Sequence, residues 1–196
     1  MSDPLGLFGG MFNPIHHGHR VAVQETAHQL SIDSVLFLPT SNPPHKDAPD
    51  IDPKHRIKMT ELALEDKEAF SVSTIEFETK EPSYTYRTLE KLKSKYPERE
   101  LVFMTGSDEL VQFTEWYHWD ELLDEFTIVG MSRPGFEAEE ISERVRKRCR
   151  LVEIPDIQIS SSLIRTRLSN GAPAQYFLPD AVWNYIDNHG LYQPTP

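Results

Sequence analysis

Only one cysteine, Cys149, occurs in the chain, which excludes an internal disulfide framework and leaves too few thiols for a cysteine-based zinc site. No apolar run approaches the roughly 20 residues needed to cross a bilayer. The first apolar run is cut by Gly9-Gly10 and Asn13-Pro14 before a secretory pattern can form. These features lead us to expect a cytoplasmic protein with no membrane partner. Positive charge is also scarce: 20 Lys and Arg stand against 31 Asp and Glu, a formal net charge of −11. The basic face that gives nucleic-acid binders their affinity is therefore missing. There is no Walker Gly-Lys-Ser/Thr, no Gly-x-Gly-x-x-Gly fingerprint and no Ser/His/Asp nucleophile arrangement.

What the chain does have is concentrated in Leu5-Gly6-Leu7-Phe8-Gly9-Gly10-Met11-Phe12-Asn13-Pro14-Ile15-His16-His17-Gly18-His19. An apolar strand breaks into two glycines and an Asn-Pro turn, and His-x-Gly-His follows where a helical pattern begins. A strand feeding a helix start through a glycine turn brings free N–H groups and the positive dipole end together, which suits an anion. His16 and His19 add imidazoles that could handle phosphate. Their spacing also permits metal ligation, although no third ligand can be named. In so acidic a protein the site must gather positive charge and backbone donors locally.

Strands alternate with helices along the rest of the chain, predicting an α/β fold with a doubly wound, Rossmann-like parallel sheet. The length of 196 residues suits a single domain. A helix is expected over 20–30 and a buried strand over 34–38. The breaker-rich loop 39–49 follows, whose Pro43-Pro44-His45-Lys46 either presents a cation or is a mobile surface loop. Asp52-Pro53 reads as a cap and first residue of a helix reaching about Lys67, kept partly buried by Ile57, Leu62 and Leu64. Ser71–Phe77 alternates like a strand, and Leu89, Leu92 and Tyr96 mark a helix stopped by Pro97. A strand at 101–104 ends in Thr105-Gly106-Ser107-Asp108, at the carboxyl end where open sheets gather ligands.

Trp116 and Trp119 would share a helix face; core packing is the ordinary role of such aromatics, though one could stack on a flat ligand. A strand at 126–129 precedes Arg133-Pro134-Gly135. Residues 137–149 read as one helix with acids first, bases last and an apolar stripe of Ala138, Ile141, Val145 and Cys149. Its basic run is more simply a solvated helix end than a nucleic-acid patch. After a strand at 151–154, Ile159-Ser160-Ser161-Ser162 opens a helix carrying Arg165 and stopped near Gly171. Its serines and free N–H groups make a second anion site, onto which Arg165 could fork. The last helix spans 180–188 and buries Val182, Tyr185 and Ile186.

Gly9-Gly10-x-Phe12-Asn13-Pro14-x-His16-x-Gly18-His19, paired with Ile159-Ser160-Ser161-Ser162-x-Ile164-Arg165, resembles the nucleotidyltransferase superfamily of Rossmann-like adenylyltransferases. Pro43-Pro44-His45-Lys46, Ser83-Tyr84-Thr85, Gly106-x-Asp108, Trp116, Arg133-Pro134-Gly135, Leu178-Pro179 and Leu191-Tyr192 make the bacterial nicotinate-nucleotide branch the nearest likeness. Two positions depart mildly: Asn13 stands where Asp is common, and Ser162 where Thr is common. The resemblance implies transfer of AMP from ATP to nicotinate mononucleotide, giving nicotinate adenine dinucleotide and pyrophosphate. It implies catalytic roles for His16, His19, Lys46 and Arg165, and ATP contacts at Gly9, Gly10, Phe12, Gly18, Gly106, Asp108, Ile159, Ser161 and Ser162. Acceptor contacts would fall to Asn13, His45, Lys46, Ser83, Tyr84, Thr85, Trp116 and Arg133. Mg2+ would ride on the ATP phosphates and water, with no dedicated protein ligand. One domain over 1–196, with a helical segment at about 160–192 packed on it, is expected. Oligomeric state is left open, a homo-oligomer being allowed. The competing readings are an adenylyltransferase for nicotinamide mononucleotide or another phosphorylated acceptor, and a non-catalytic nucleotide-binding regulator.

Overall fold

The computed structural model describes residues 3–43, 51–65 and 68–193. Six parallel strands form one sheet in the order β3-β2-β1-β4-β5-β6. They are β1 (Leu5–Gly10), β2 (Ser34–Pro39), β3 (Phe70–Val72), β4 (Leu101–Gly106), β5 (Thr127–Ser132) and β6 (Arg150–Glu153). The order reverses between β1 and β4, whose carboxyl ends therefore flank a crevice.

Alternation along the central strands divides the core in two. Phe8, Val35, Phe37, Val102 and Met104 face one side, where α1 (His17–Gln29), α2 (Pro53–Leu64), α7 (Ser161–Ser169) and α8 (Asp180–Asn188) pack. Leu5, Leu7, Leu36, Leu38, Leu101 and Phe103 face the other, covered by α3 (Thr85–Lys95), α4 (Ser107–Val111), α5 (Trp119–Glu125) and α6 (Glu143–Arg146). The near-continuous apolar runs of β1, β2 and β4 thus reflect burial on both faces. Among the described residues, no helix is long and apolar enough to cross a membrane.

Caps behave as the residue types require. Asp52 accepts the Lys54 N–H at 2.9 Å ahead of Pro53, and Ser160 Oγ accepts the Leu163 N–H at 3.1 Å. Gly171, at φ +68°, ends α7 in a Schellman turn, with Gly171 N–H on Leu168 O and Ala172 N–H on Arg167 O.

Several expectations fail for identifiable reasons. The proposed strand 71–77 stops at Val72, because Ser73 N–H makes the last bond to β2 at Phe37 O and Ile75–Glu78 then coils into a 3-10 turn. The proposed helix 137–149 is a 3-10 turn (Ala138–Glu140), a break at Ile141 and Ser142, and the one-turn α6, and Arg150 already belongs to β6. Its apolar stripe is half right: Ile141 and Val145 are buried, but as separate plugs. Trp116 and Trp119 share no helix face, since Trp116 is extended after a 3-10 turn and left-handed His118 precedes α5. In α2, by contrast, Leu64 is buried and Ile57 and Leu62 are partly covered, as expected, while Arg56, Met59, Thr60 and Ala63 complete the buried face.

Phe37 is fully buried, with Phe8, Phe12 and Phe70 rings at 5.5 to 5.8 Å. Phe37→Ala is expected to cost about 3–5 kcal/mol in urea unfolding, by transfer plus cavity terms.

Candidate active site

The crevice at the switch point is a cleft of about 800 Å³. Its floor is Gly9, Gly10, His16, Gly18 and His19 from the first turn and α1, with Thr105 to Glu109 from the end of β4 and the start of α4. One wall comes from Glu76, Ser83, Tyr84, Thr85, Thr88, Trp116 and Tyr117, the other from Arg133, Phe136 and Ile159 to Ser162. The two anion sites read separately in the sequence therefore open into the same space, with the start of α3 opposite.

Two imidazoles lie face to face on the floor, ring centroids 3.7 Å apart and planes at 24°. His19 Nδ1 accepts the His16 backbone N–H at 3.2 Å, so the neutral ring carries its proton on Nε2. Phe12 supports that ring edge-on at 5.3 Å. Desolvation, reinforced by His16, holds the His19 pKa well below its usual value. Burial, with Arg133 and His17 adding to it, lowers that of His16 to about 4. Both rings are neutral at neutral pH. Between them Gly18 leaves the His16 ring its place: a Cβ there would lie 3.0 Å from His16 Cε1 and Nδ1 and press on the ring. Gly106 is crowded similarly, as any Cβ would run into Asp108 Oδ1.

The first turn is held from behind. Arg165 Nη1 donates to Asn13 O at 2.8 Å and its Nη2 to Ser162 Oγ at 3.2 Å. Ser161 Oγ donates to Pro14 O at 2.9 Å, and Arg56 Nη1 to Met11 O at 2.8 Å. Tyr192 Oη donates to Asn13 Oδ1 at 2.6 Å. Phe12, 1% exposed, and Asn13 therefore do not line the cleft, contrary to expectation: one is core and the other is engaged with Tyr192. Arg165 lies behind the cleft wall, turned toward Asn13. His45 and Lys46 lie outside the described residues. Gly9, Gly10, Gly18, Gly106, Asp108, Ile159, Ser161, Ser162, Ser83, Tyr84, Thr85, Trp116 and Arg133 do line the cleft. Trp116 lines the space and packs on Phe113 at 4.9 Å and Phe103 at 6.2 Å.

Two charged residues escaped the sequence reading. Glu76 lines the cleft and accepts Ser41 N–H at 3.2 Å through Oε2 and Thr88 Oγ1 at 3.1 Å through Oε1. Burial raises its pKa, opposed by hydrogen bonds from Ser83, Ser41 and Thr88 and by Arg56. Arg56 is fully buried, its Nε and Nη2 without hydrogen-bond partners among the described residues, and desolvation lowers its pKa. Its signal was faint but present: position 56 shares the spacing of Met59, Thr60 and Ala63, which a purely apolar criterion discards.

The chain matches the cytidylyltransferase-like family model over residues 7–167. It is 42% identical to a Carboxydothermus hydrogenoformans protein named "Probable nicotinate-nucleotide adenylyltransferase", covering 96% of this chain and 98% of that one. It is 36% identical to the Bacillus subtilis nicotinate-nucleotide adenylyltransferase, with the same coverage. Among solved structures, the Plasmodium falciparum nicotinic acid mononucleotide adenylyltransferase complexed with NaAD aligns with a TM-score of 0.80 at 21% identity, over 97% of this chain and 98% of that one. That likeness is one of fold.

The lowered imidazole pKa values carry a sign. Below pH 6.5 the unfolded chain takes up protons at positions 16 and 19 that the folded chain refuses. Their contribution to stability is therefore complete above pH 6.5 and declines as pH falls toward 4. For His16 alone the full shift amounts to roughly 3 kcal/mol. Urea unfolding at pH 7.5 and 5.0 is expected to show this loss, with a shallower slope in His16→Asn.

Proposed function

We propose that this chain, which belongs to the cytidylyltransferase-like family and within it to the bacterial nicotinate-nucleotide adenylyltransferases, transfers the adenylyl group of ATP to nicotinate mononucleotide. A 5′-phosphate oxygen of the acceptor attacks the α-phosphorus. The bond from that phosphorus to the α,β-bridging oxygen breaks, and pyrophosphate leaves. No protein nucleophile is needed, so the work left to the chain is positioning and charge stabilisation. The observation that carries the reading is the pair of neutral imidazoles at the glycine turn, facing a second capped helix start across one cleft.

In this reading His19 donates from Nε2 to an α-phosphate oxygen, and His16 contacts the neighbouring phosphates. The start of α7, with Ser161 and Ser162, receives the pyrophosphate end. Arg165 and Lys46 add positive charge. Asp108 meets ribose hydroxyls and Trp116 stacks on the pyridine ring. The ring's carboxylate meets the N-terminal N–H groups of α3 around Thr85, where an amide would turn donors toward donors. Magnesium would be held by triphosphate oxygens and water, for which a cleft of about 800 Å³ leaves room. When bound, it neutralises triphosphate charge.

The test is pyrophosphate release with ATP, Mg2+ and each mononucleotide in turn. Nicotinate mononucleotide is expected to turn over faster than the nicotinamide form, and a preference for the amide would overturn the acceptor assignment. His19→Ala is expected to lose about 10²- to 10³-fold in kcat, the typical cost of one oriented transition-state donor, measured at pH 7.5 on protein shown to be folded.

A further inference from the structure

The last described residues of the chain reach back to its first functional turn. Helix α8 ends in a Schellman turn at Gly190, φ +59°, with Gly190 N–H on Asp187 O and Leu191 N–H on Ile186 O. That reversal sends Leu191 and Tyr192 against the core cluster that also holds Phe12 and Ile15. Tyr192 Oη then donates to Asn13 Oδ1 at 2.6 Å. Both sides of this contact are conformationally unusual: Tyr192 has φ +61°, and Phe12, immediately before Asn13, has φ +44°. A residue with a Cβ is held in the left-handed region only when its surroundings impose it. Three residues beyond Asn13 comes His16, whose backbone N–H sets the tautomer of His19.

We propose that Tyr192 is a positioning residue for the nucleotide grip, its hydroxyl clamping Asn13 so that the Phe12–Pro14 turn presents His16 and His19 in the stacked, neutral arrangement. The inference rests on the adenylyl-transfer reading only for which substrate feels the effect; the clamp itself is a statement about the substrate-free protein. Burial holds the Tyr192 hydroxyl well above its usual pKa, so it remains a donor across the working pH range. Backbone contacts from Arg165 to Asn13 O and from Ser161 to Pro14 O do not duplicate it, because neither restrains the Asn13 side chain. The clamp lies behind the turn that carries His16 and His19, whereas Trp116 and Thr85 line the cleft from other segments.

Tyr192→Phe removes one oxygen and keeps the ring. It is expected to raise KM for ATP or lower kcat by about tenfold, leaving KM for the acceptor within twofold, at an unfolding midpoint close to the parent's. Asn13→Ala should give a similar loss. The double variant should be no worse than the poorer single one, as the two groups act through one bond. In substrate-free protein, the imidazole 1H–15N NMR signals of His16 and His19 should shift in Tyr192→Phe. Unchanged kinetics and unchanged imidazole signals in that variant would overturn the proposal, as would losses that multiply in the double variant. If the parent shows no adenylyl transfer, the function reading fails alone. The imidazole signals and ATP binding by calorimetry then decide the clamp.

Discussion

Between Met11 and Pro14 the backbone turns from a strand into a helix start, and three of its carbonyls are taken by side chains from distant elements. Arg56 on α2 holds Met11 O, while Arg165 and Ser161 on α7 hold Asn13 O and Pro14 O. A glycine-rich turn left to itself would sample many conformations, and ordering it at the moment of binding would cost affinity. Here the ordering is completed on folding, and the far helices do it. This explains why the chain continues after β6: α7 and α8 add nothing to the sheet, yet Ile164, Leu168, Val182 and Ile186 anchor them to the same core as Phe8 and Phe12. The site's rigidity is thus a tertiary property of residues 45 to 152 positions apart.

Holding the turn also settles an electrostatic difficulty. A chain of net charge −11 offers a poor general field for a triphosphate. The floor of the cleft answers with neutral donors, since two stacked imidazolium rings 3.7 Å apart would repel one another and burial disfavours either charge. Neutral N–H groups bind phosphate without the desolvation cost of a buried ion pair. The buried cation Arg56 lies behind the turn, where it donates to Met11 O and feels the charge of Glu76. Positive charge therefore stands at helix starts around the cleft, at Arg133 on its wall and at Arg56 behind the turn.

Local signals made the sheet and most helices readable. Apolar runs marked β1, β2, β4 and β5, Asp52-Pro53 and Ser160 marked helix starts, and Gly171 marked a stop. The same signals misled where tertiary contacts decide. Alternation at 71–77 continued beyond the last strand bond, and the stripe at 138–149 survived a break that its i, i+3 spacing cannot reveal. In the site, motif spacing brought His16, His19, Ser161 and Ser162 together correctly. It could not tell Phe12 and Asn13, which support the turn, from the residues that line the cleft. Nor could it find Glu76, whose role depends on Ser41 and Thr88 arriving from separate segments. Contacts between elements leave little trace in a single sequence.

Arg165 shows how support and proposed chemistry can reside in one side chain. Its guanidinium has five N–H donors in a rigid plane. One hydrogen on Nη1 goes to Asn13 O and one on Nη2 to Ser162 Oγ, leaving three. Ser162 opens α7 and lines the cleft, so the fork reaches the cleft wall through a residue that would itself meet phosphate. A phosphate at this helix start can take the Ser162 hydroxyl and a remaining Arg165 donor while Nη1 stays on Asn13. In the proposed function, charge neutralisation would tighten the same framework that orders the turn, and pyrophosphate binding and the shape of the histidine pair would be linked through a single planar group.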